Sequence, residues 1–167
     1  TAFVFGRRVL IRNDKPIVGV YDVNRSGSGD MYYKGGNMLH TIRQIVNDDE
    51  KWRGILRGLN QTFYHQTVTT QQIEDYMSQQ AGIHLSKVFD QYLRDARLPI
   101  LEYSVEGKKL RYRWTNTVAG FDMPFKFKVE GGAWKTVYPT TEWKELKVKK
   151  GATVELDTNF YVETKKL

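Results

Sequence analysis

The chain has 167 residues, 40% hydrophobic and 27% charged, which suffices for a real core and does not suit disorder. Its +7 net charge is spread evenly (13 Lys/Arg to 10 Asp/Glu in 1–98, 13 to 9 in 99–167), not gathered into the stripe a nucleic-acid binder uses, so no nucleic-acid partner is expected. Without cysteine there is no disulfide and no thiolate metal site, and no apolar run is long enough to span a bilayer.

The first thirty residues, from Thr1, show neither a signal-peptide pattern nor a clear period, and a start other than methionine suits a piece of a longer protein. Helical spacing begins at Gly35. Met38, Leu39, Ile42, Ile45 and Val46 form one apolar face. "NDDE" punctuates, and its acids favour the start of a second helix carrying Trp52, Ile55, Leu56, Leu59 and Phe63. Thr69 with Gln72 reads as a capping box opening a third helix through Ile73, Tyr76 and Met77, with Gly82 as its stop. Leu85, Val88, Phe89, Tyr92, Leu93 and Ala96 form a fourth stripe, which Pro99 ends.

Past Pro99 the period changes to two. Leu101, Tyr103 and Val105 alternate, "EGKK" turns, and Leu110, Tyr112 and Trp114 alternate back, a hairpin. "FKFKV" places Phe125, Phe127 and Val129 on one face and lysines on the other, and later segments supply further strands, about six in all. The expectation is an α+β chain: a helical bundle over 1–98 and a small antiparallel β-sandwich over 99–167, each with its own apolar cluster.

The residues alone offer no complete catalytic set. His40, His65 and His84 are too far apart for an H-E-x-x-H pair, and a surface or capping role is preferred for each. The stretch "GSGDMYYKGGNMLH", residues 27–40, lacks the third glycine of a dinucleotide turn, and Lys34 precedes Gly35 where a phosphate loop needs the reverse order. Glu74 and Asp75 are read as solvated acids. Trp114, Trp134 and Trp143 fit a sandwich core better than a sugar-stacking platform. The glycosylation patterns at Asn24 and Asn60 are too common to weigh.

Tyr32-Tyr33-Lys34-Gly35 matches the Y-x-K-G element of the aminopeptidase N family of zinc metallopeptidases, which includes leukotriene hydrolase. "YYKGGNMLHTIRQIVNDDEKWRGILRGL" resembles the two helices that begin there in the family. "TTQQIEDYMSQQAGIHLSKVFDQYLRDARLP" resembles the family's next segment, which ends at a proline, and "LEYSVEGKKLRYRW" resembles the β-module of many members. The likeness runs over roughly residues 10–165.

The resemblance implies that Tyr32 is a catalytic residue, donating its hydroxyl to the oxyanion of a tetrahedral intermediate, a task for a neutral donor. Tyr33 is expected to pack or line the site. Lys34 and Gly35 are read as structural, the glycine for close helix packing and the lysine to pair or snorkel. The family's zinc ligands, general base and amine-binding element lie upstream of Y-x-K-G and have no counterpart in this sequence. The expected cofactor is therefore zinc in a parent enzyme and none in these 167 residues. The expected partners are the upstream catalytic lobe of the same chain and the parent's peptide substrates, with this chain as the C-terminal part of an aminopeptidase, inactive alone. Two alternatives stand beside it: a non-catalytic helical and β-sandwich binding or scaffold module, and a relative that has lost its zinc ligands.

Overall fold

The computed structural model describes residues 2–20 and 27–167. Helices fill the first part: α1 (Ala2–Gly6), α2 (Tyr33–Val46), α3 (Asp49–Thr62), α4 (Thr70–Ala81) and the short α5 (Ser86–Phe89). Single 3₁₀ turns at Arg8–Leu10 and Gly29–Met31 precede α2, and Asn24 lies outside the described residues. The caps are where the sequence puts them. Asp48 accepts from the backbone N–H of Glu50 and Lys51, both at 3.0 Å, opening α3. Thr69 and Gln72 exchange both bonds of a capping box, and Gly82, at φ +67°, closes α4 in the left-handed conformation.

The fourth stripe is not one regular helix. After α5 the chain widens into a π turn, Asp90–Arg94. Gln91, fully buried there, donates to the carbonyl of Arg97 at 2.7 Å and accepts from the N–H of Val118 at 2.7 Å. These bonds tie the end of the helices to the loop after the first hairpin.

From Ile100 onward the described residues form seven strands in two sheets, so the α+β expectation holds. β1 (Ile100–Glu106) and β2 (Lys109–Thr115) make the expected hairpin, pairing Leu101 with Trp114 and Tyr103 with Tyr112. With β5 (Lys144–Lys147) and β7 (Glu163–Lys166) they form a sheet of order β5-β2-β1-β7. β3 (Phe125–Val129), β4 (Lys135–Val137) and β6 (Val154–Leu156) form the second, of order β4-β3-β6. One pairing departs from the antiparallel rule: β7 returns parallel to β1.

The sheets meet on aromatic rings. Trp114, with no exposed surface, meets Phe121 and Phe125 edge-on and donates its indole N–H to the carbonyl of Met123 at 3.0 Å. Tyr112 meets Phe127 likewise. The other tryptophans of the β half depart from the core reading. Trp134 is 45% exposed, and Trp143 lies half-buried on the outer face beneath the guanidinium groups of Arg111 and Arg113.

The halves share one buried apolar cluster, from Met38 to Tyr161, where one cluster apiece was expected. Polar bonds reinforce the junction. Tyr92 donates to the carbonyl of Tyr161 at 2.5 Å, and Thr41 accepts from the Tyr161 N–H at 3.0 Å. Glu74 is not a solvated acid: it is buried and accepts from Arg94 at 2.7 Å. Asp75 beside it is exposed, as read.

Candidate functional site

Tyr32 stands at the head of α2, between the 3₁₀ turn and the first helical residue. It is 73% exposed, and its hydroxyl has no hydrogen-bond partner among the described residues. Around it, almost everything is held.

On one side, Asp30 is buried and accepts from two backbone N–H groups, Arg12 at 3.0 Å and Asn13 at 2.7 Å. Ser28 caps this turn by accepting from the N–H of Asp30, and donates in turn to Asp14 at 3.2 Å. Gly27 lies so close to the carbonyl of Ile17 that any side chain there would collide with it. The glycine and serine that failed the phosphate patterns thus serve to pin one strand of a loop against another.

On the other side, Lys34 has no exposed surface. Its ammonium donates to the carbonyl of Asp95 at 3.0 Å and of Ala96 at 3.4 Å, just beyond the π turn. These carbonyls come after the last helical turn, where a cation is favoured. Burial pushes the ammonium below the ordinary lysine range, while the charges of Asp30 and Asp95 pull it back up. Lysine here does not snorkel: it anchors α2 to the far end of the bundle.

One turn further along α2, Asn37 is also buried. Its carboxamide donates to the carbonyls of Tyr33 (3.0 Å) and Val4 (3.2 Å) and accepts from Arg8 at 2.7 Å. Arg8 continues to the carbonyls of Thr158 (2.9 Å) and Asn159 (3.2 Å), so the head of α2 is tied to the sandwich as well.

Gly35 corrects the reading of close helix packing. Beyond its chain neighbours and the backbone of its own helix, no described atom lies within 4 Å of where its Cβ would stand, and the same is true of Gly36. Tyr32, Gly35 and Gly36 are spaced i, i+3, i+4, and Leu39, 37% exposed, continues their side of α2. This side carries nothing bulky between Tyr32 and Leu39. Tyr33 is half-buried and borders both a hollow of about 430 Å³ lined by Arg12, Lys15 and Asp30 and a small one of about 30 Å³ beside Tyr32.

Among the described residues no group of three or more His, Asp or Glu side chains is placed to hold a metal. His40 bonds to Asn159 at 3.2 Å, His65 meets the ring of Tyr64 edge-on, and His84 lies beside Ser86; no two of them converge. Sequence reading named Tyr32 and missed its supports, Asp30, Asn37 and Arg8. Only the S-x-D spacing of Ser28 and Asp30 announces one of them, as a side-chain cap.

No protein-family description and no curated sequence matches the chain. Its fold is similar to part of a solved structure, the crystal structure of Legionella pneumophila aminopeptidase A in complex with aspartic acid. The TM-score is 0.73 at 15% identity, over 98% of this chain and 22% of that one. The chain thus has the fold of a portion of an aminopeptidase, and spans about a fifth of that enzyme's length.

Proposed function

We propose that the chain is the C-terminal part of a zinc-dependent aminopeptidase, and that Tyr32 stabilises the oxyanion formed when water attacks a peptide carbonyl. The observation that carries this reading is the contrast at Tyr32: an exposed phenol, free among the described residues, on a helix head fixed from three directions. A donor carried on a fixed helix head and left unspent by the fold suits transition-state stabilisation, which uses donors whose mounting need not move when charge appears. The fold likeness to part of an aminopeptidase supports the same reading.

Within it, Tyr32 donates one hydrogen bond to a developing oxyanion, and Lys34, Asp30 and Asn37 hold the helix that presents it. Tyr33 forms wall. The side of α2 bearing Tyr32, Gly35 and Gly36 is the surface on which the rest of the catalytic lobe sits. Among the described residues no group is placed to hold a metal; in this reading the zinc and the general base come from the upstream lobe of the parent, and the chain alone has no turnover.

The test is Tyr32→Phe in the parent enzyme, which keeps the ring and removes the hydroxyl. The expected outcome is a fall in kcat of roughly 10²–10³-fold, with KM moving much less. Tyr33→Phe is the control and costs clearly less. A kcat within about twofold of wild type removes Tyr32 from the chemistry. The reading also requires an H-E-x-x-H pair and a further glutamate upstream of Thr1; a parent sequence without them leaves the scaffold alternatives.

A further inference from the structure

At its other end α2 borders a second hollow, of about 280 Å³, between the helix terminus and the second sheet. Helix rise puts it roughly 20 Å from Tyr32, so it is separate from the site above. Two of its groups are charged and more than nine-tenths buried. Lys126 donates to the side-chain oxygen of Asn47 at 2.6 Å; Asp157 accepts at one oxygen from the backbone and side chain of Asn159, at 3.0 and 2.7 Å. Both of those bonds fall on the same carboxylate oxygen of Asp157, which leaves its other oxygen open to the hollow.

Lys126 is where the alternation of "FKFKV" misleads. Its face of β3 is covered by the end of α2, and burial pushes its ammonium below the ordinary range. Asn47 holds the left-handed conformation, φ 53°, that ends the helix and presents its carboxamide to the lysine. Gln44 adds a second carboxamide with no partner among the described residues, and the wall is completed by Trp134. Lys128, itself paired with Glu155 at 2.9 Å, lies 4.8 Å from the centre of that indole.

We propose that this hollow binds one neutral sugar ring, such as a hexose unit of a glycan. The lining carries one positive and one negative charge, so a ligand of either sign would meet a like charge in a buried setting. Donors and acceptors are both left over: the ammonium and carboxamide N–H groups, and the free oxygen of Asp157. A hydroxyl serves both kinds at once. The indole offers an apolar face of the sort that the C–H face of a sugar ring covers. At about 280 Å³ the hollow falls just below the usual range of ligand pockets, roughly 300–1,000 Å³, which suits a single ring.

The test is an amide and indole NMR titration of the chain with methyl hexosides (gluco, galacto, manno and N-acetylglucosamine), and with glycylglycine as a zwitterionic rival. The expected result is a saturable shift of the Trp134 indole N–H and the Gln44 carboxamide with at least one hexoside, with a dissociation constant on the order of 1–10 mM. Trp134→Ala, at an exposed position, weakens it at least about tenfold. Asp157→Asn, which keeps the oxygen that Asn159 uses, weakens it too, whereas Trp143→Ala on the other sheet leaves it unchanged. Absence of a saturable shift with every hexoside overturns the proposal. So does binding that survives Trp134→Ala, or glycylglycine moving the same resonances more strongly than any hexoside.

Discussion

The π turn around Tyr92 and the head of α2 around Tyr32 put the same phenol in opposite settings. Tyr92 has no exposed surface, lies against the ring of Tyr161 and spends its hydroxyl on that residue's carbonyl at 2.5 Å. Burial pushes its pKa far above the ordinary tyrosine value. Around Tyr32 the neighbours are buried and bonded, while the tyrosine itself is 73% exposed. In the first region the hydroxyl belongs to the architecture; in the second the architecture holds a hydroxyl it does not use. Residue type says nothing of this difference. Where each hydroxyl finds its partner says all of it.

The comparison can be broken, starting with the largest effect. Trp114 is the extreme of a ring used by the fold, so Trp114→Ala is expected to cost about 3–5 kcal/mol in urea denaturation. A smaller loss would mean that the sandwich core is not as closely packed as its edge-on rings imply. Lys34→Met keeps bulk and removes two bonds to the carbonyls of Asp95 and Ala96. A loss of about 1–3 kcal/mol is expected, since the carbonyls are left unpaired. An unchanged midpoint would mean that the head of α2 is not anchored through this residue.

The tyrosines themselves give the sharpest version. Tyr92→Phe strands the carbonyl of Tyr161 and should cost about 1–3 kcal/mol. Tyr32→Phe should stay within about 0.5 kcal/mol. Equal effects would erase the distinction. The smallest expected effect concerns pH. Hydrogen bonds from Arg113 hold the Glu102 carboxyl below the ordinary glutamate range; Lys165 adds to this and burial opposes it. The unfolded chain therefore takes up that proton first as pH falls. The contribution is complete above about pH 4.3 and is lost as pH drops toward the native value. A Glu102→Gln variant should show a shallower fall of Tm between roughly pH 4.5 and 2 than wild type.

Much of the fold was legible because it is local. The Asp48 and Thr69 caps, the stop at Gly82 and the change of period at Pro99 each depend on residues a few positions apart. What was not legible depends on partners far along the chain. Glu74 is buried because Arg94 lies twenty residues on, and Lys126 because the end of α2 covers it from seventy-nine residues back. The π turn hides inside a good helical stripe, since a wider turn still places Val88, Phe89 and Tyr92 inward. At the candidate site, Tyr32 came from a four-residue motif. Its openness was expected from the docking of an upstream lobe, although nothing in the motif itself tells which side of α2 is left uncovered. Alternation likewise could not separate Trp114 from Trp134: both are aromatic and in or beside strands, yet one centres a core and the other rims a hollow.

The parallel return of β7 has a consequence for handling the protein. Its backbone runs along β1 from the bond of the Glu163 N–H to the Pro99 carbonyl to that of the Leu167 N–H to the Tyr103 carbonyl. The last five residues, all exposed, thereby shield one edge of the four-stranded sheet with a lysine-bearing strand. Trimming them would bare the hydrogen-bonding groups of β1 along that edge, the kind of surface on which two chains pair. A shortened protein would be expected to keep its helices and to self-associate as its concentration rises. β7 thus acts as a guard against polymerisation along this edge of the sheet.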